Sequence, residues 1–251
     1  MTATASHYRF RHAARMEWIK LRTLRSMRWT MVFALAGMIG IGIAAGFNTQ
    51  NPRGDVTNNI LVGVALASVL FAVLGVLVMT SEYSSGTIRA TLAAIPRRPL
   101  VLAAKAAVFG AVTLAAGELV SFAGFLAGAA FVHGGVPQPA LSQAPVLRAV
   151  AMSGAYLCLV GLIGLAFGTI IRHGAAAVAT LVGLVFVAPL AGLAATPAGK
   201  LLPELIYANS MGATKPVPGF SVSPWAGLGL ICAYAAVLLT VAGWLLVRRD
   251  A

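Results

Sequence analysis

The sequence predicts an all-α, polytopic membrane protein with six transmembrane helices and both termini in the cytoplasm. Three observations carry that prediction. The 251 residues are 59% hydrophobic and only 10% charged, with a mean hydropathy of +0.90, whereas a soluble domain is about 25% charged. Six apolar stretches, 29–47, 60–80, 100–132, 148–171, 174–195 and 225–247, reach or approach the roughly 20 residues a helix needs to cross a bilayer. Of the 12 prolines, 11 fall between those stretches; only Pro189 sits inside one, where it would kink the helix. The same composition excludes a water-soluble enzyme, a nucleic-acid-binding domain and a disordered chain.

Residues 1–28 form a basic segment that leads into the first span. At about 100° per residue, Arg11, Arg15 and Arg22 share a narrow arc, Phe10, Ala14, Leu21 and Leu24 share another, and Glu17 is placed to pair with Lys20. This pattern describes an interfacial helix on an anionic leaflet, with Trp18 and Trp29 at headgroup level. A plain topogenic basic flank is the other reading. The apolar core of 29–47 exceeds that of a cleaved signal peptide, so it reads as a signal-anchor.

Charge sets the orientation. If the termini share a side with the loops after the second and fourth spans, that side holds 14 of the 18 Lys and Arg. The other side has Arg53, Arg148, Lys200 and Lys215. Basic residues near spans favour the cytoplasm.

The loop 81–99 is the most informative segment. Ile88, Leu92 and Ile95 repeat at helical spacing, Thr87 and Thr91 line another face, and Pro96 ends the helix. The pattern fits a short cytoplasmic helix for docking on a partner, or a surface helix that only connects two spans. The third stretch is too long for a straight crossing, which puts the turns around Lys105 outside the hydrocarbon.

Within the spans, Glu118 is the one carboxylate in an apolar segment, and a charge near mid-bilayer costs about 2.5–3.5 kcal/mol. Gly117, Ser121, Gly124 and Gly128 share the adjoining face. Glu118 is therefore either a substrate or cation contact or a neutralised structural carboxyl. Gly42/Gly46, Gly124/Gly128 and Gly164/Gly168 are G-x-x-x-G pairs that allow close helix packing. Segment 196–224 is external. Its apolar stretch at 205–208 is too short to cross, so 201–211 is a re-entrant or interfacial helix or part of an ordered loop. Cys158 and Cys232 read as small buried residues, not as a disulfide or metal site.

Four segments resemble one family. Glu82–Leu92 (E-Y-S-S-G-T-I-R-A-T-L) followed by Pro96-Arg97-Arg98 and Lys105 is similar to the cytoplasmic loop of type-2 ABC exporter permeases, the six-span membrane subunits of bacterial ATP-binding-cassette exporters. Glu17–Arg25 resembles that family's basic entry helix, Leu165–Arg172 the end of its fourth span, and Ser223–Gly227 with Arg248–Ala251 its last span. The resemblance covers nearly the whole chain as one permease domain. It implies that the 81–99 helix is a coupling helix, with Glu82, Thr87, Arg89, Thr91, Arg97 and Arg98 toward an ATPase subunit. Arg11, Arg15, Glu17, Trp18, Lys20 and Arg22 would then belong to a second cytoplasmic contact. It further implies two ATPase copies, a second permease copy or paralogue, ATP and Mg on the ATPase alone, and the bacterial plasma membrane as location.

No G-x-x-x-x-G-K-[ST] loop occurs in the chain, so ATP hydrolysis is expected on a separate polypeptide and no catalytic or metal residue is assigned here. An intramembrane protease is disfavoured. His7, His12, His133 and His173 lie in terminal or loop regions, and Glu118 lacks a second carboxylate. A non-transporting scaffold or sensor that anchors a cytoplasmic partner is the alternative function.

Overall fold

A computed structural model describes residues 10–23, 25–49, 54–94, 98–133, 135–187, 199–215, 217–220 and 222–249. Among these the chain is helical, with no strand. Helix α1 is Phe10–Thr23 and α2 is Arg25–Asn48. The second expected span divides into α3, Val56–Ile60, and α4, Gly63–Ser84. Helix α5 is Thr87–Ala94, α6 is Arg98–Ala130 and α7 is Ala144–Ile171. Helix α8, Gly174–Val182, continues as a wider π turn over Gly183–Val187. Helix α9, Pro203–Ile206, does the same over Tyr207–Met211, and α10 is Pro224–Arg248.

Five of these, α2, α4, α6, α7 and α10, are long and apolar enough to cross a membrane. The remaining expected span, 174–195, begins as α8, but its last eight residues, 188–195, with Pro189, lie outside the described residues. Helix boundaries follow local chemistry. Asp55 caps α3 by accepting from Asn58 N at 3.0 Å, and Ser223 caps α10 through Ala226 N at 3.3 Å. Pro145, Pro203 and Pro224 occupy first turns, where a missing N–H costs nothing. Helix α7 stops at Arg172, which takes a left-handed conformation at φ 62° while its N–H returns to Gly168 O.

Helices α4 and α7 form the buried centre, with α2, α6 and α10 around them. Their outer faces remain apolar: Phe33, Leu119, Leu126, Trp225, Val237 and Trp244 are all exposed, as expected of surfaces that meet lipid rather than water. Lipid supplies no hydrophobic drive between helices, so close backbone approach does the packing. The two glycine pairs of α2 and α6 meet each other. A Cβ on Gly42 would lie 2.6 Å from Gly124 O, and one on Gly128 2.7 Å from Gly42 O. Across α4 and α7, a Cβ on Gly168 would lie 2.8 Å from Val76 O, and Gly75 and Gly164 abut Gly161 O and Ala72 O. Cys158 is buried as expected, whereas Cys232 is exposed.

Backbone cannot yield as a side-chain tip can. We expect Gly75→Val to cost about 3 kcal/mol or more, the upper range for overpacking. Gly110→Ala, whose Cβ would only touch Leu162 at 3.6 Å, should be neutral or stabilise by up to about 1 kcal/mol through helix propensity. Thermal unfolding of the two variants in detergent compares them directly.

Candidate functional site: an ion network joining α1, α4, α5 and α6

Helix α1 lies along the first turns of α6. Its docked face is Ala13, Glu17 and Leu21, spaced four apart; of the Phe10, Ala14, Leu21 and Leu24 arc read as facing the leaflet, Leu21 is buried here and Leu24 lies outside the described residues. Ala13 packs on Val101 and Ala104, and Phe10 is exposed. The pattern misleads because the centre of the docked face is a carboxylate: Glu17 is 1% exposed.

That carboxylate meets Lys105, itself 2% exposed. The Lys105 ammonium donates to Glu17 Oε2 and to Glu82 Oε1, the latter at 2.7 Å. Lys20 donates to Glu82 Oε1 at 2.9 Å, to Glu17 Oε1 at 3.3 Å and to Thr91 Oγ1 at 3.3 Å. Two ammoniums and two carboxylates therefore close a neutral cluster over four helices. Glu17 and Lys20 come from α1, Glu82 from the last turn of α4, Thr91 from α5 and Lys105 from α6. Burial works against charge on Lys20, yet the Glu82 hydrogen bond and the two carboxylates outweigh it and hold the ammonium above its ordinary 10.5. The stabilisation Lys20 brings is thus fully present below 10.5 and is lost only as pH rises through the higher folded value.

Helix α5 hangs from this cluster. Gly86, at φ 70°, makes the turn between α4 and α5, a left-handed conformation that suits glycine. Thr91 and Ile88 face inward, while Thr87, Arg89, Ala90 and Ala93 are exposed. Of the residues expected to meet a partner, Thr87 and Arg89 are thus at the surface. Glu82 and Thr91 are inside and hold the helix in place. Arg98 is turned onto the end of α10, donating to Leu246 O and Arg249 O at 3.1 Å each. Arg97, Ile95 and Pro96 lie outside the described residues, as does the Leu92 side chain. On α1, Arg11, Arg15, Trp18 and Arg22 are exposed, with the Arg22 guanidinium 5.8 Å from the Trp18 ring centre.

Carbonyls at the end of α10 are gathered by the same region. Arg249 O accepts from Arg98 and, at 3.4 Å, from Arg172, while Arg249 donates to Ile170 O at 3.1 Å. Basic side chains on C-terminal carbonyls satisfy acceptors the helix cannot. Arg172 also lies 5.4 Å from the Tyr83 ring centre, beside Glu82.

Glu118 stands elsewhere, half-buried on α6 with its carboxyl against Gly154 of α7. Ser121 on the neighbouring face donates to Val150 O at 2.7 Å, but Glu118 accepts no hydrogen bond from a described residue. Sequence reasoning found the Glu17–Lys20 pair by spacing. It missed Lys105 as their partner, since 88 positions separate it from Glu17; the available signal was a lysine opening an apolar helix in a chain with only six acidic residues. Among the described residues no three potential metal ligands gather. Compared with known proteins, the chain matches no family model and no curated protein.

Removing one member of a buried ion cluster strands the others, at about 3–5 kcal/mol. We expect Lys105→Met to lose that much stability. Glu17→Gln combined with Lys105→Met should recover over half of it, because Lys20 and Glu82 remain balanced. Lys20→Met, at a half-exposed site, should cost about 1 kcal/mol. A double-mutant cycle by thermal unfolding in nanodiscs measures the coupling.

Proposed function

We propose that this chain is the permease subunit of a bacterial ABC exporter. In this reading it crosses the plasma membrane six times with both termini cytoplasmic, and works with a second permease copy or paralogue and two separate ATPase subunits that bind ATP and Mg. The observation that carries the reading is the mounting of α5. An eight-residue helix is too short to be stable alone, yet here it is fastened by Thr91 and Ile88 and presents Thr87 and Arg89 outward. A helix that only linked two spans would need no such anchorage. Its fastening reaches α4, one of the two most buried helices, so a push on α5 is transmitted to the α4–α7 centre instead of being absorbed by a loop.

Helix α1, joined to α5 through Lys20 and Thr91, carries exposed arginines that give the same end of the bundle a second contact surface. Helix α10 is tied there by Arg98 and Arg172. An ATPase closing beneath this end would move α1, α5 and the carbonyl end of α10 together. Glu118, without a donor among the described residues at the edge of the α6–α7 seam, is the candidate contact for substrate or for the second permease copy.

Two experiments test the reading. Thr87→Asp with Arg89→Glu reverses the outward charge of α5 without touching the ion cluster. We expect at least a tenfold loss of transport-coupled ATPase activity, equivalent to about 1.4 kcal/mol, with thermal unfolding unchanged. Unaltered coupling, or affinity purification from the native membrane that recovers no ATPase subunit, would reject the assignment and favour a non-transporting scaffold. Glu118→Gln should abolish transport while assembly stays normal; preserved transport would make Glu118 a packing residue only.

A further inference from the structure

At the end of the bundle opposite the ion cluster, the segment after α8 folds back onto the core. Asp55 accepts from Thr214 N at 2.6 Å, Thr214 Oγ1 at 2.8 Å and Lys215 N at 3.0 Å, and Arg148 donates to Ala213 O at 2.8 Å. This clamp presses α9 and its π extension into the bundle. Ile206, Tyr207, Ser210 and Met211 are buried. The Tyr207 ring stacks on Tyr156 of α7 at 4.6 Å, and its hydroxyl meets Ser153 Oγ at 2.9 Å.

Glu204 enters with them. Its Oε2 accepts from Tyr156 at 2.7 Å and from Ser68 of α4 at 3.5 Å, so Glu118 is not the only carboxylate among the apolar helices. Glu204 Oε1 accepts from no described residue, and Glu204 lines an open cleft of about 390 Å³ between α2, the α3–α4 junction and α9. The rest of the polar lining offers acceptors. Asn48 Nδ2 donates to Ala44 O at 2.8 Å, Thr49 Oγ1 to Ala45 O at 2.7 Å and Asn58 Nδ2 to Ala208 O at 3.2 Å. One donor of each is thereby directed at backbone, and the amide oxygens of Asn48 and Asn58 accept from no described residue. The described lining includes no Lys or Arg.

We infer that this cleft is a binding site for a small organic monocation, an ammonium with an apolar body, held by Glu204. A carboxylate oxygen without a donor among the described residues, in a lining with amide oxygens and no described basic group, selects positive charge. The class of cation follows from size and walls. A hard metal ion takes about six or more oxygen ligands drawn inward upon it, whereas this space has one carboxylate and the volume of a small-molecule pocket. Leu61, Val62 and Ala65 form apolar wall, which suits the apolar body of such a cation.

The test uses the purified full-length chain in lipid nanodiscs, without ATPase or turnover, so its outcome is independent of the transport reading. Benzyltrimethylammonium is titrated by calorimetry, with neopentylbenzene, in which carbon replaces the charged nitrogen, as competitor. We expect saturable binding that the neutral isostere does not displace. Glu204→Gln, which keeps an acceptor for Tyr156, should weaken binding at least tenfold. Ala65→Phe, which fills the cleft without touching the Glu204 hydrogen bonds, should do the same and serves if Glu204→Gln does not fold. Absence of saturable binding, equal affinity in a folded variant, displacement by the isostere, or displacement by millimolar sodium or magnesium would each overturn the inference.

Discussion

The Lys105 ammonium between Glu17 and Glu82 is the interaction on which the rest of this end of the molecule depends. A buried charge is tolerable only when neighbours neutralise it and accept its hydrogen bonds. Here the neighbours lie on two other helices, so satisfying one lysine requires α1, α4 and α6 to converge. Lys20 then completes the balance and adds Thr91. Helices α1 and α5 are too short to persist by propensity alone. Their positions follow from a charge requirement, which is directional, and not from apolar burial, which is not.

This anchorage has a mechanical consequence. Glu82 sits on α4, and α4 meets α7 through glycines that leave backbone touching backbone. At those points the seam has no side chain between its helices, which leaves little room for one to shift against the other. The same α4 carries Ser68, which reaches Glu204 at the opposite end. One rigid element thus links the surface of α5 to the cleft beneath α9.

Much of this architecture was legible in the sequence because hydrophobic length and proline position are local signals. The long spans lie within a few residues of their expected places, and the G-x-x-x-G pairs are indeed contact faces. What the pattern missed is non-local. It showed Gly42/Gly46 and Gly124/Gly128 as separate motifs, and only the fold reveals that each is the other's partner. The family resemblance placed Glu82 toward a partner, yet it turns inward because Lys105 waits 23 positions further on. Glu204 was hidden more deeply. It lies in the 201–211 stretch, for which the sequence left a re-entrant or interfacial helix and an ordered loop both open, and the Asp55 clamp, 159 positions from Thr214, holds that stretch folded back among the helices.

The division of labour between lysine and arginine follows from the same constraints. An ammonium is a compact charge whose three donors suit convergent carboxylates, and Lys105 and Lys20 are used that way. A guanidinium is a planar fork, harder to enclose but suited to several acceptors at once, and Arg98 and Arg172 spread over helix-end carbonyls. The ion cluster is neutral, so it leaves the net charge of +12 untouched. The surplus at this end is carried in part by the exposed arginines of α1, α2 and α5, which take no part in the cluster. Positive charge that the fold does not need for its own stability is charge left over for a surface to meet.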